Sequence, residues 1–222
     1  MKTRKTKKKR GLLMLLLVIA VVLVCYLVSL KFIRNENLPD DIEMKAQELK
    51  EYCEKRGYDT NVGVMVDYGV HSGCMRFVVW DFNENKPLLK SICAQGCGKG
   101  KNWGKNVFSN EIGSLCSSLG HYKIGKERTM NSIKGRPALN LYGLDSTNSN
   151  AYVRGILLHP VRLPSKSIYP FEIPTRGIRV FGRTIMNSYS EGWVTIPFDD
   201  YYELVSILNE KKEKPVILWV YV

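Results

Sequence analysis

The feature that most constrains this chain is its opening. Seven of the first ten residues are basic (Lys2, Arg4, Lys5, Lys7, Lys8, Lys9 and Arg10), and the stretch from Leu12 to Leu30 carries no charge. At about 1.5 Å per residue, a helix of that length matches the roughly 30 Å core of a bilayer. Only a helix satisfies its own backbone polar groups across such a span. The expectation is one transmembrane segment over 12–30, with a basic cytoplasmic tail at 1–11 and the remainder outside the cytoplasm by the positive-inside rule. A cleaved signal peptide is the competing reading. Its apolar region is normally shorter and ends in a small-residue site, and Tyr26–Lys31 offers none. The expected location is therefore the cytoplasmic membrane, single-pass, with a linker at 31–40 and a folded domain at 41–222 in the periplasm or another extracytoplasmic space.

The net charge of +12 owes much to this tail. Without those seven residues, 26 basic residues face 21 acidic ones, so the domain is only mildly basic. That balance gives no reason to expect a nucleic-acid partner and suits an acidic polymer. Six cysteines are present: Cys25 in the apolar run, and Cys53, Cys74, Cys93, Cys97 and Cys116 beyond it. Five outer cysteines leave at least one without an intrachain partner, and spacing alone does not fix a pairing. Cys93 and Cys97 lack both zinc-knuckle spacing and a second pair, so no metal and no cofactor are expected.

Two helices are legible. One follows Pro39-Asp40-Asp41, repeats apolar residues at Ile42, Ala46, Leu49 and Cys53, and stops at Gly57. The other covers Asp199 to Lys212, with acids at its start and lysines near its end, as the helix dipole favours. Between them the sequence reads as strands. These are 62–68, 76–81, 90–94 after a turn at Asn83–Pro87, 139–142, 156–159, 178–181 and 193–196, with a last buried strand at 215–222. The class is mainly β (α+β), with helices at the margins.

Several strings, in order, resemble the murein L,D-transpeptidase catalytic family (YkuD-like), in a branch with long inserts. Val66-Asp67-Tyr68 and Arg76–Asp81 resemble its opening strands. Gln95-Gly96-Cys97-Gly98-Lys99-Gly100 resembles its His-Gly-x-Gly-Ser-Gly turn. Phe108-Ser109-Asn110, Gly113-Ser114 and Ser117–Gly120 resemble the next block. Gly143–Asp145, Asn148, Asn150-Ala151, Arg154 and Ile156–His159 resemble the stretch that ends at the catalytic histidine. Ser190-x-Gly192 and Pro197 resemble the nucleophile motif and its sequel. The resemblance covers roughly 41–222 and implies a β-sandwich/barrel with peripheral helices. It also implies cysteine acyl transfer on peptidoglycan stem peptides, in which a histidine activates a thiol and backbone N–H groups hold the oxyanion.

The family motif ends Ser/Thr-x-Gly-Cys; here it reads Ser190-Glu191-Gly192-Trp193. An indole offers one N–H donor and no nucleophile. Gln95 replaces the turn histidine, and Pro160 follows His159 where glycine is usual. The stretch from His159 to Trp193 is long and carries Pro160, Pro164, Pro170 and Pro174. His159 holds the position of the family base, and Trp193 that of its nucleophile. Gln95, Asn150 and Arg154 fall at binding positions, although a salt bridge explains Arg154 equally well. Ser190 precedes the nucleophile position by three residues and is expected to point elsewhere. Cys97 and Cys116 border the family cleft and are the candidate relocated thiols; a disulfide between them, or two inert thiols, is the plainer expectation. Trp103 and Trp219 read as core or interface aromatics. Three functions follow. The first is a catalytically degenerate cell-wall module that binds stem peptides or a cell-envelope protein. The second is an active enzyme with a relocated thiol, and the third a purely structural subunit of a membrane complex.

Overall fold

The computed structural model describes residues 14–25, 38–70, 74–96, 98, 107–130, 135–161 and 190–222. The chain divides into two compact units, one of 1–35 with 167–172 and one of 36–166 with 173–222. In the first, residues 14–25 form a helix (α1) whose side chains are all exposed. Among the described residues no helix is long and apolar enough to cross a membrane. The rest of the apolar run, the basic tail, most of the linker, and the expected strand at 178–181 lie outside the described residues.

The second unit is built on one eight-stranded mixed sheet. Its strands are β1 (Val62–Asp67), β2 (Phe77–Asp81), β3 (Lys86–Ser91), β4 (Gly120–Met130), β5 (Arg136–Gly143), β6 (Leu157–Val161), β7 (Val194–Pro197) and β8 (Ile217–Tyr221). Their order across the sheet is β3-β2-β1-β8-β4-β5-β6-β7. Two helices accompany it, α2 (Ile42–Arg56) and α3 (Phe198–Lys211). Inside the sheet β1 and β8 pair in parallel; β1–β2 and β4–β8 are antiparallel. Just beyond edge strand β3, Ala94 bridges to Thr195 of the opposite edge strand β7, with N–H to carbonyl distances of 2.9 and 3.3 Å. The two edges thus meet, which removes part of the exposed ladder that open sheets must protect. The expected sandwich or barrel is therefore a single sheet curled until its edges touch.

Side chains of successive strand residues point to opposite faces, and β1 is buried along its whole length. Val62, Val64 and Val66 join Phe77, Val79, Leu204 and Leu208 in one core, which brings in α3. Met65 joins Val78, Trp80 and the α2 residues Ala46 and Leu49 in another. Gly63 lets α2 approach: a Cβ there would lie 2.5 Å from Phe82 and 2.9 Å from Leu49. Leu49 is fully buried, and truncating such a leucine to alanine costs about 2–5 kcal/mol. The two turns at the base are tied by buried Asp59. Its carboxylate accepts the amides of Asn61, Val62, Glu213 and Lys214 at 2.7–3.0 Å.

Four expectations need correction. First, Asp41 occupies the N-cap of α2, but its side chain makes no capping bond; Gly57 does close the helix in the left-handed conformation, φ 73°. Second, the third strand runs 86–91, not 90–94, so the presumed turn at Asn83–Pro87 already enters it. Pro87 is tolerated because β3 is an edge strand, where a missing N–H need not break a ladder. Third, β4 was not expected at all. Its outer half, Lys126–Thr129, is exposed and charged, so it lacks the apolar alternation that marks a strand. Fourth, Pro160 stands inside β6. The β5–β6 ladder comprises only Leu139↔Leu158 and Asn140↔Leu157, so it lies beyond that pairing.

Candidate functional site around His159 and Trp193

The parallel pairing of β6 and β7 sets His159 opposite Thr195. Both are buried, at 3% and 0% exposure. The carbonyl of Pro160 lies 3.1 Å from His159 Nδ1. A carbonyl can only accept, so Nδ1 carries the proton and Nε2 is left with its lone pair. Among the described residues no partner reaches Nε2, and none reaches Thr195 Oγ1. Burial pushes the imidazole pKa below its ordinary value, the Pro160 carbonyl opposes this, and Arg136 adds to the lowering. The ring is therefore neutral at neutral pH and has the electronic character of a base.

Trp193 packs against this imidazole. Its ring meets His159 edge-on, with centroids 5.0 Å apart and planes at 78°. The indole N–H, its only polar group, donates to the carbonyl of Gly155 at 2.9 Å. The side chain is thus pinned at both ends beside the imidazole. Ser190 Oγ donates to the Trp193 carbonyl at 2.7 Å, which closes a local turn and commits that hydroxyl. Ser190 is accordingly turned to its own backbone, as expected from its spacing.

The backbone around this pair is tightly built. Gly192 has φ 99°, and a Cβ there would lie 2.7 Å from the carbonyl oxygen of Cys116. A Cβ on Gly96 would lie 2.2 Å from the Gly192 nitrogen and 2.4 Å from the carbonyl of Leu115. Only glycine fits at either place. Ser117 joins these segments: its N–H donates to the Gly96 carbonyl (2.8 Å), and its hydroxyl accepts from Gly96 N (3.0 Å) and donates to the Gly192 carbonyl (3.2 Å). Gln95, between Ala94 and Gly96, is fully buried.

Arg154 works on the same loops, and not through the salt bridge allowed for above. Its Nη1 donates to the Ser109 carbonyl and Ser118 Oγ, both at 2.8 Å; its Nη2 donates to Ser114 Oγ at 3.3 Å and to the Cys116 carbonyl. Asn150 donates its backbone N–H to Asn110 Oδ1 (3.1 Å) and its side-chain amide to the Asn110 carbonyl (3.0 Å). Both residues thus hold the 107–118 segment against the turn at 144–155.

Cys116 is a free, buried thiol that faces the carbonyl of Ser114 at 3.6 Å. Burial raises its pKa, the guanidinium of Arg154 only partly opposing this. That direction is opposite to the one a nucleophilic thiol needs. Burial likewise pushes Cys93 up to about 11 and Cys53 up to about 12. Cys97 and Trp103 lie outside the described residues. Among the described residues no group of three or more His, Cys, Asp or Glu is placed to hold a metal ion. The sequence reading missed Thr195 and the pinning carbonyl of Gly155. Thr195 was recoverable, because it lies only two residues beyond Trp193, in the strand that follows it; a backbone carbonyl leaves no mark in side-chain identity.

A family described as "L,D-transpeptidase catalytic domain" matches residues 36–182, two-thirds of the chain. The match ends before Ser190. No curated protein matches. Similar solved structures include the helical cell shape determining protein Pgp2 from Campylobacter jejuni, at 13% identity and TM-score 0.43, covering 77% of this chain and 54% of that one. An L,D-transpeptidase from Xylanimonas cellulosilytica is 10% identical with TM-score 0.37, covering 77% and 68%. One from Mycobacterium tuberculosis is 16% identical with TM-score 0.32, covering 71% and 57%. The chain spans about half the length of the first of these.

Proposed function

Starting from a chain that belongs to the L,D-transpeptidase catalytic-domain family, we propose that it is a member without catalysis, anchored to the membrane, that binds at the cell wall. Its partner is a peptidoglycan stem peptide or another protein of the envelope. The observation that carries this reading is Trp193, pinned between His159 and the Gly155 carbonyl; the sequence resemblance puts the cysteine of the family motif at this position. Acyl transfer needs a nucleophile within hydrogen-bond reach of its base. His159 keeps its free Nε2 but has an indole as neighbour. The tight backbone at Gly96, Ser117 and Gly192 supports a scaffold that is kept while the reacting atom is gone.

The anchor is the uncharged run at 12–30, whose described part, 14–25, is helical and fully exposed. The basic tail stays in the cytoplasm, and the sheet domain lies outside it. The relocated-thiol alternative draws no support from Cys116, whose thiol is buried and has a raised pKa. The test is to incubate the purified full chain with muropeptides. The expected result is binding with neither cross-linked nor trimmed products. Turnover that disappears when a cysteine is replaced by alanine would establish an enzyme instead.

A further inference from the structure

The turn at 144–155 carries a feature that the site does not use. Tyr142 of β5 lies over β4, across from Gly125, where a Cβ would fall 2.5 Å from its ring. Only glycine leaves that ring room to lie against the strand. Lys123 Nζ sits 5.2 Å from the same ring's centroid. Tyr152 stacks on Tyr142 with centroids 5.3 Å apart and planes within 16°. One face of Tyr152 is thus spoken for, yet the residue remains 67% exposed, and its neighbour Val153 is 70% exposed.

The turn that holds Tyr152 is rigid. Ala151 is fully buried, and backbone bonds run from Arg154 N to the Asn150 carbonyl (2.9 Å), Gly155 N to the Tyr152 carbonyl (3.0 Å) and Ile156 N to the Ala151 carbonyl (2.9 Å). The turn also offers an occupant no free charge. Its one acid, Asp145, already takes His121 N–H at 2.7 Å and Nδ1 at 2.8 Å. Its one base, Arg154, is consumed by Ser109, Ser114, Ser118 and Cys116. A flat aromatic face held in place by these contacts suits a ring with positively polarised C–H groups on one side. The negative face of an aromatic ring attracts such groups. A pyranose presents them, and the cation beside the stack, Lys123, is engaged on the Tyr142 ring.

We propose that Tyr152, stacked on Tyr142, is a platform for the glycan of the cell wall and takes one pyranose ring of an N-acetylated hexosamine polymer on its open face. Val153 beside it provides apolar surface for an acetyl methyl group. The proposal rests on the cell-wall reading above and names the part of the polymer that this surface meets. Because Tyr152 lies three residues from Gly155, which pins Trp193, the glycan and the cleft share one turn.

The test uses the full chain in detergent micelles and the tetramer of N-acetylglucosamine, which carries no stem peptide, with binding followed by titration calorimetry. The wild-type chain is expected to bind it. Tyr152→Ala is expected to weaken binding roughly tenfold or more, whereas Tyr152→Phe keeps the stack and retains binding. A wild-type chain that does not bind the tetramer, or an alanine variant that binds it equally well, overturns the platform. If such a chain still binds muropeptides, the cell-wall reading stands without the platform. Tyr152-dependent binding of the tetramer with no muropeptide binding supports the platform and removes the stem peptide from the reading of the cleft.

Discussion

His121 and His159 occupy opposite ends of the segment that runs from β4 to β6, and they are built on contrary principles. His121 is saturated. Its ring stacks on Tyr52 at 3.8 Å and faces Trp219 at 5.2 Å, and its Nδ1 meets Asp145 at 2.8 Å. Lys45 lies over Trp219 and Arg56 over Tyr52, so a column of aromatic rings ends in a cation on each side. His159 also has a tryptophan neighbour, but it meets only an edge, and among the described residues nothing bonds its Nε2. A buried polar atom without a partner costs about 1–3 kcal/mol. Structure alone gives no reason to keep one. The saturated histidine is explained by packing, which fastens α2 and the 144–155 turn to the sheet. The unsaturated one is the residue on which the proposed reading of the cleft rests.

The contrast is confined to side chains, since the backbone of the His159 end is as closely built as anything at the His121 end. Gly96→Ala probes this with the largest expected effect. The added Cβ would press on backbone at Gly192 and Leu115, which cannot swing aside. Overpacking of this kind costs about 3 kcal/mol, or a fall of roughly 6–12 °C in Tm for a domain of this size. A variant that melts with the wild type would mean that the site's backbone is slack and the contrast runs deeper than side chains.

A paired substitution sharpens the comparison directly. His121→Leu removes the Asp145 bond and the ring stack and is expected to cost about 2 kcal/mol in denaturant unfolding. His159→Leu removes an unsatisfied atom together with one bond and is expected to shift stability by less than about 1 kcal/mol. Equal losses would erase the distinction between the two histidines.

The smallest effect is on pH dependence. Burial lowers the pKa of both histidines in the folded chain, opposed at His121 by Asp145. The unfolded chain therefore binds more protons than the folded one just below the unfolded value of about 6.5. Stability is full above that pH and declines as the pH falls from there toward the folded pKa values. Urea midpoints at pH 7.5 and pH 5.5 measure the decline, and the double variant His121→Leu/His159→Leu should flatten it. A steeper fall in the double variant would show that other groups set the slope.

The elements legible in the sequence were those whose burial is periodic. Helix α2 showed itself through Ile42, Ala46, Leu49 and Cys53, all of which are buried. The central strands β1, β2 and β8 showed as continuous apolar runs because both their faces are covered. Strand β4 escaped because half of it faces water. The site divides the same way. Motif order singled out His159, Trp193, Ser190 and Gly192 as site positions, and the structure brings His159 and Trp193 into contact. The role of Arg154 could not be read, because its partners are mostly backbone carbonyls and serine hydroxyls with no distinguishing pattern. The same limit hid Gly155 as the anchor of the indole.

The account turns on the absence of a competent thiol beside His159, and thiol acylation reads that most directly. The full chain, shown to be folded, is incubated with a carbapenem near neutral pH and its intact mass is measured. The proposed reading predicts an unchanged mass, in keeping with the indole beside His159 and with the raised pKa values of the buried thiols Cys53, Cys93 and Cys116. A stable adduct that maps to any cysteine would contradict it and restore the chain to the active enzymes of its family.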